Sequence, residues 1–426
     1  MSTSTELLAQ AHRHIDARQW PQAATKFAQL LQHEPTQFDA HHFLWQWTMQ
    51  QQQWSQALFH AEQTLASKND DVALHQLLAQ TLQQVLNTDN GEQHCQHLLQ
   101  QLPQAFTTRL AYGCWLEQAQ QLELAAKHYL RASKDAQAQG FWQDDASTPP
   151  WLRQRVKSAM QFVARFRHQL FEQLLTPLLQ QFGRDDMQRV QHCIAMYLGE
   201  QALQFADARQ RPSFLYFPTL PVNPIFDRKL FPWAEWLEAQ TDSIRDEMFN
   251  VLGSADVEAF HHYDSPEQAE HLFTGASWDA YFFYRHGAAY EHHLSNCPHT
   301  ASVLKQLPQV MIREHAPETC YSILRPGTHI LPHRGVSNVR SVLHLPLVLP
   351  GHCVLNVIDA HCHEWQMNQC FAFDDTFEHE AWNRSTQTRV ILLTDIWNPY
   401  LRDAERLAMK QVIEAIGDFN RELETK

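Results

Sequence analysis

In Pro332-His333-Arg334-Gly335 a histidine stands 46 residues ahead of His379, which lies in Phe373-Asp374-Asp375-Thr376-Phe377-Glu378-His379-Glu380. Arg389 follows ten residues later. Two histidines and a downstream arginine, set among short β-type segments, can hold an Fe(II) and the far carboxylate of 2-oxoglutarate. The chemistry this points to is oxygen-dependent hydroxylation. Such a centre usually draws on an H-x-D/E pair plus a distal His, whereas here Gly335 stands two residues after His333. In a chain with 27 His an H-x-G triplet alone says little, so the surrounding residues carry the argument. Gly327-Thr328-His329-Ile330-Leu331-Pro332 reads as a turn entering a strand at His333. Arg389 opens Arg389-Val390-Ile391-Leu392-Leu393-Thr394-Asp395, an apolar run with the texture of a central strand. A buried arginine needs an anionic partner, and a carboxylate gripped by two N–H groups is the natural one. In Arg340-Ser341-Val342-Leu343-His344-Leu345-Pro346-Leu347, a period of two places Val342, His344 and Pro346 on one face.

The elements that must position these groups are legible in outline. From Cys320 to about Pro399, short apolar segments alternate with turn residues: Tyr321–Leu324, Val339–Leu349, Cys353–Ile358, Gln369–Phe373 and Thr388–Trp397. Closely spaced short strands with Pro and Gly between them predict a double-sheet barrel or jelly roll. After Arg211-Pro212 the texture is rich in Pro and aromatic residues, interrupted by one helix near 233–252, and a last amphipathic helix covers about 402–423. The first 142 residues repeat with a period of 34: Ala23, Ala57, Gly91 and Ala125 fall at successive steps, followed four positions on by Phe27, Ala61, Cys95 and Tyr129. Trp20 and Trp54 are one period apart, and Pro35 and Pro103 two periods apart. Small residues at helix crossings and Pro at unit ends resemble the tetratricopeptide repeat, with units near 4–37, 38–71, 72–105 and 106–139; a generic Gln-rich helical bundle is the alternative. The domain reading is therefore a repeat array over 1–142, a helical linker or capping region over 143–208, a jelly-roll domain over 209–402 and a C-terminal helix over 403–426. Within the second region, Gln143–Pro150 reads as the linker itself.

Bulk properties narrow the function classes. The formal charge of −14, with no basic cluster, argues against nucleic acid as partner. No basic leader with an apolar run and no stretch of 18 apolar residues occurs, so neither a signal peptide nor a membrane span is expected. Eight scattered cysteines without a C-x-x-C pair fit a reducing, cytoplasmic setting. His352-Cys353 and His361-Cys362-His363 match no structural zinc spacing and read as surface His and buried Cys.

Residues from about 214 to 400, and 321–399 most clearly, resemble the aspartyl/asparaginyl β-hydroxylase family of 2-oxoglutarate dioxygenases. The strings that carry the resemblance are Tyr321-Ser322-Ile323-Leu324-Arg325-Pro326-Gly327-Thr328-His329, Pro332-His333-Arg334-Gly335, Phe373–Trp382 and Asp395-Ile396-Trp397-Asn398-Pro399. The family binds iron with two histidines, glycine standing where others place an acidic ligand, as Gly335 does here. The resemblance implies His333 and His379 as Fe(II) ligands. It also implies Arg389 and Ser322 on the distal carboxylate of 2-oxoglutarate, and His344 on its metal-side carboxylate. Trp278–Gly287 is similar to a stretch lining the family's substrate cleft, which nominates Trp278, Tyr284 and Arg285. Peptide-hydroxylating members carry Arg where this chain has Val342, and Arg340 shares that strand face one step away. Asp374 and Asp375 are expected to shape the turn before His379 or to hydrogen-bond groups around the metal, and Trp382 and Trp397 to belong to the core. The implied activity is hydroxylation, using Fe(II), 2-oxoglutarate and O2, of a peptide or protein side chain at the β-carbon of Asp or Asn, the repeats recruiting the substrate. The same chemistry on a Pro or Arg side chain, a free amino acid or a lipid acyl chain stays open. So does a repeat scaffold whose barrel no longer turns over.

Overall fold

The computed structural model describes residues 3–67, 71–260, 272–357 and 361–421. The chain divides into two compact units, Met1–Gln169 with Phe419–Lys426, and Leu170–Asp418.

The first unit pairs its helices in sequence: α1 (Thr3–Asp16) with α2 (Trp20–Leu31), α3 (Phe38–Gln50) with α4 (Trp54–Ser67), α5 (Val72–Leu86) with α6 (Gly91–Gln101), and α7 (Phe106–Gln118) with α8 (Leu122–Ala138). Each pair occupies one 34-residue unit. Ala23, Ala57, Gly91 and Ala125 are all buried, as are Phe27, Ala61, Cys95 and Tyr129 one helical turn later. At Gly91 a Cβ would collide with the Val85 carbonyl at the end of α5, so the small residue is a steric requirement of that crossing. Successive pairs are tied by a buried indole: Trp45 on α3 donates to Thr81 Oγ1 on α5 at 3.0 Å. Gln143–Pro150 closes on itself, the Asp144 carboxylate accepting from the Ala146 and Ser147 amides. The division between the units falls within α9 (Arg153–Phe182).

The second unit contains α10 (Arg184–Tyr197), α11 (Ala234–Glu238), α12 (Thr241–Val251), α13 (Glu291–Asn296) and α14 (Pro298–Leu304). The helix expected near 233–252 is thus two, α11 and α12, broken at 239–240. Helix α15 (Asp403–Arg421) closes the chain's described part. The strands are β1 (Glu258–Ala259), β2 (Phe273–Thr274), β3 (Trp278–Arg285), β4 (Ala288–Ala289), β5 (Thr319–Leu324), β6 (His329–His333), β7 (Arg340–Val348), β8 (Cys353–Val357), β9 (His361–Glu364), β10 (Phe371–Phe373), β11 (His379–Asn383) and β12 (Arg389–Trp397). They form two antiparallel sheets, one ordered β1-β3-β5-β12-β7-β10 with β4 on β3, the other β2-β6-β11-β8-β9.

Alternation along the strands decides what each face carries. On the larger sheet Tyr321, Ile323, Leu343, Leu345, Val390 and Leu392 point outward and pack on Ile244 and Met248 of α12 and Val303 and Leu304 of α14. The intervening residues turn to the other sheet: Trp278, Leu324, Val342 and Phe373 meet Ile330, Leu355, Val357 and Ala381. This second face also carries the polar groups singled out above. Among the described residues no helix is long and apolar enough to cross a membrane.

Gly91→Ala should destabilise the helical array by about 1–3 kcal/mol, because the added methyl meets backbone. At an open helical position the same change would stabilise by up to about 1 kcal/mol. Urea denaturation followed at 222 nm reads the sign.

Candidate active site

Strands β6 and β11 set the two histidines side by side. His333 and His379 are directly opposed across the pair, and their ring centroids are 4.1 Å apart. Each ring is oriented in the same way: Nδ1 of His333 donates to the Leu331 carbonyl at 2.8 Å, and Nδ1 of His379 to the Phe377 carbonyl at 3.0 Å. A neutral imidazole whose Nδ1 carries the proton keeps its Nε2 lone pair for a metal. Burial, reinforced by the neighbouring His333, lowers the His379 pKa to about 3, so this ring stays an unprotonated ligand well into acid.

Gly335 is not an open slot. A Cβ there would collide with the Asp375 carboxylate, and the Gly335 amide donates to the Asp375 carbonyl at 2.6 Å. The carboxylate missing from position 335 is therefore replaced in space by one from the strand-β11 side of the site. Asp375 is gripped by Arg340 Nη2 at 2.9 Å, while Arg340 Nη1 binds Asp395. Burial opposes charge on Arg340, but Asp375 and Asp395 hold its guanidinium above the usual range. The other oxygen of Asp375, Oδ1, is buried without a hydrogen-bond partner. Asp374 does the local work: its side chain accepts from the Thr376 amide and hydroxyl and from Gln210, shaping the turn that delivers His379. Burial pushes its carboxyl up to about 6.

Across the cavity, β12 and β5 bring Arg389 to Ser322. Arg389 is 2% exposed, its Nη2 donates to Ser322 Oγ at 3.3 Å, and its Nε has no partner. Among the described residues no carboxylate pairs with it, and burial lowers its pKa to about 10. Ser322 Oγ also accepts from the Trp278 indole at 3.0 Å. On the same sheet His344 is buried beside Phe371 and Phe373, and its Nδ1 accepts from the Trp365 indole at 3.3 Å.

The structure thus gathers His333, His379, Arg389, Ser322, His344, Trp278 and Arg340 around one cavity of about 220 Å³. Tyr284 and Arg285 are not among its lining residues. A register shift in β3 between Phe282 and Tyr284 turns Tyr284 into the outer apolar cluster, and Arg285 is tied to Glu258 at 2.9 Å and lies over the Phe282 ring. Arg340 lines the cavity, but as the bridge between two aspartates. The roles of Trp365 and Asp395 escaped the sequence reading because no spacing links them to the histidines; only an apolar strand ending in Asp and a Trp in a turn marked them. Cys353, in the sequence's His/Cys-rich stretch, donates its thiol to Asn383 Oδ1 at 3.4 Å, while the side chains of His361, Cys362 and His363 lie outside the described residues. Among the described residues no group of three His, Cys, Asp or Glu side chains could hold a metal. Two oriented imidazoles, an unpartnered carboxylate oxygen of Asp375, and beyond them a buried guanidinium with no carboxylate and an unpartnered Nε fit a metal with an anionic co-substrate.

Gly335→Ala should lower folding stability by about 1–3 kcal/mol by displacing the Asp375 carboxylate. Gly335→Asp should cost more and bring no gain in Fe(II) affinity, since it forces a second carboxylate onto Asp375. Denaturation midpoints and metal titration of both variants check this.

Residues 238–399 match the sequence model of the family described as aspartyl/asparaginyl beta-hydroxylase. Similar proteins include the ornithine lipid ester-linked acyl 2-hydroxylase of Rhizobium tropici, 32% identical over 189 residues, covering 43% of this chain and 64% of that protein. The human aspartyl/asparaginyl beta-hydroxylase is 30% identical over 235 residues, 54% of this chain and 30% of its own. Aspartate beta-hydroxylase domain-containing protein 2 of Xenopus tropicalis is 30% identical over 208 residues, 48% of this chain and 55% of its own. The chain spans less than two thirds of the length of each of these curated relatives. The stretch that is similar to this family, residues 238–399, includes both histidines, Gly335 and Arg389.

Proposed function

We propose that the second unit is an Fe(II)- and 2-oxoglutarate-dependent hydroxylase on a jelly-roll scaffold. The strand order supports the scaffold: β5-β12-β7-β10 in one sheet and β6-β11-β8-β9 in the other follow the alternation of an eight-stranded double-sheet roll. The observation that carries the function is Arg389. A guanidinium buried at the bottom of a cavity with an unpartnered Nε needs an anion, and the opposite wall carries two imidazoles prepared as ligands.

His333 and His379 would hold the metal through Nε2. When bound, Fe(II) with 2-oxoglutarate and O2 supplies hydroxylation of a C–H bond, releasing succinate and CO2. Arg389 and Ser322 would grip the distal carboxylate. Because Ser322 Oγ already accepts from Arg389 and Trp278, its own O–H is left to donate to that carboxylate. His344 would donate from Nε2 to the carboxylate nearer the metal. Asp375 Oδ1 offers an acceptor to a water or hydroxyl beside the histidines. Apolar walls (Trp278, Ile330, Val342, Leu355, Phe373) exclude water from the reacting carbon.

The leading substrate is the β-carbon of Asp or Asn in a peptide or protein, with the helical array, tetratricopeptide-like in its 34-residue pairing, recruiting the polypeptide in the cytoplasm. A second reading, a neutral aliphatic or acyl carbon, is favoured by one feature. Arg340 is committed to Asp375 and Asp395, and Val342 is apolar, so neither supplies a cation for a substrate carboxylate.

Anaerobic addition of Fe(II) and 2-oxoglutarate should produce a weak visible charge-transfer band, and admitting O2 should yield succinate. His379→Ala should lose the metal. Arg389→Ala should retain it while weakening 2-oxoglutarate about 10- to 100-fold, the range for hydrogen bonds to a charged group. Equal loss of metal in both variants, or no band with folded, metal-replete protein, would overturn the reading.

A further inference from the structure

We propose that Trp365 is a positioning residue for 2-oxoglutarate: its indole N–H decides which nitrogen of His344 donates into the cavity, and its ring backs the Arg389 guanidinium. This rests on the co-substrate reading above. Trp365 directly follows β9, is buried, and reaches two groups that the sequence leaves 21 and 24 residues away. Its Nε1–H meets His344 Nδ1 at 3.3 Å, with the two rings 27° from parallel. The same indole lies 5.2 Å from the Arg389 guanidinium carbon, a cation–π distance.

The direction of the hydrogen bond carries the argument. An indole N–H only donates, whereas a neutral imidazole has one donor and one acceptor nitrogen and can present either. With Nδ1 accepting from Trp365, the ring proton sits on Nε2, so His344, which lines the cavity, has a donor rather than a lone pair at its second nitrogen. An anionic co-substrate requires donors; the other tautomer would set a lone pair against its carboxylate. Ser322 shows the same device. A hydroxyl is equally ambivalent, and the Trp278 indole, together with Arg389, occupies its acceptor side, leaving the proton to point outward. Two donor-only indoles thus convert two ambivalent side chains into donors around one anion site. Trp365 serves the His344 end and, through its ring, also limits where Arg389 can move.

The test uses full-length protein loaded with Mn(II), with 2-oxoglutarate affinity measured by calorimetry and no turnover required. Trp365→Phe keeps an aromatic ring and removes the N–H. It should weaken 2-oxoglutarate about 10-fold or more, the usual scale for a lost orienting partner, while Mn(II) affinity at the histidines stays unchanged. In a His344→Ala background the same change should have no further effect, because Trp365 acts through His344. Should Trp365→Phe fold poorly, benzothienylalanine at 365, isosteric with Trp but lacking the N–H, should show the same loss. Wild-type affinity in the variant, losses that simply add in the double variant, or parallel loss of Mn(II) would each overturn the proposal. Absence of 2-oxoglutarate binding to the wild type would instead remove the co-substrate reading on which it stands.

Discussion

A guanidinium held out of water with no carboxylate to meet it among the described residues is the constraint around which the second unit's cavity is arranged. Arg389 sits on the inner face of β12, with a serine hydroxyl and an indole ring as its partners and its buried Nε without one. Isolated charges of this kind cost several kcal/mol even after relaxation. Part of that cost is offset by the Ser322 hydroxyl and by the Trp365 ring beside the guanidinium. Ser322 accepts from the Trp278 indole, His344 accepts from that of Trp365, and the imidazoles of His333 and His379 stand on the other sheet, each with its Nδ1 bonded to a backbone carbonyl.

Arg340 follows the opposite logic. It shares a buried environment with Arg389 but is neutralised on both sides, by Asp375 and Asp395. That bridge spans the sheet from β12 to the turn before β11. It holds the Asp375 carboxylate in the space that a side chain at position 335 would otherwise occupy. Glycine at 335 thus leaves room for a carboxylate that arrives from another part of the chain and is bound to Arg340. One arginine meets no carboxylate among the described residues, and the other is neutralised on both sides by Asp375 and Asp395.

The helical unit obeys simpler physics. Its 34-residue spacing exists because each helix pair buries the same kind of crossing, with a small residue on the second helix and a second buried residue a turn later. At the first of these positions Gly91 keeps the small size of Ala23, Ala57 and Ala125, whereas Phe27, Ala61, Cys95 and Tyr129 share burial alone. Trp45 to Thr81 shows how consecutive pairs are locked across a distance close to one period.

Periodicity, spacing and family resemblance were enough to locate the helical pairs, the strands bearing the histidines and arginine, and the residues that the cavity gathers: His333, His379, Arg389, Ser322 and His344. These are local or family-level signals, and each residue's face follows from a period of two. What only the tertiary structure decided is which partners these groups receive. Arg340 meets acids 35 and 55 residues away, Arg389 and His344 share one indole, and a register shift in β3 takes Tyr284 and Arg285 away from the cavity. A sequence pattern specifies the face on which a side chain stands. Hydrogen-bond direction and ion pairing depend on strand register and on turns that bring distant segments into contact, and no local period encodes those.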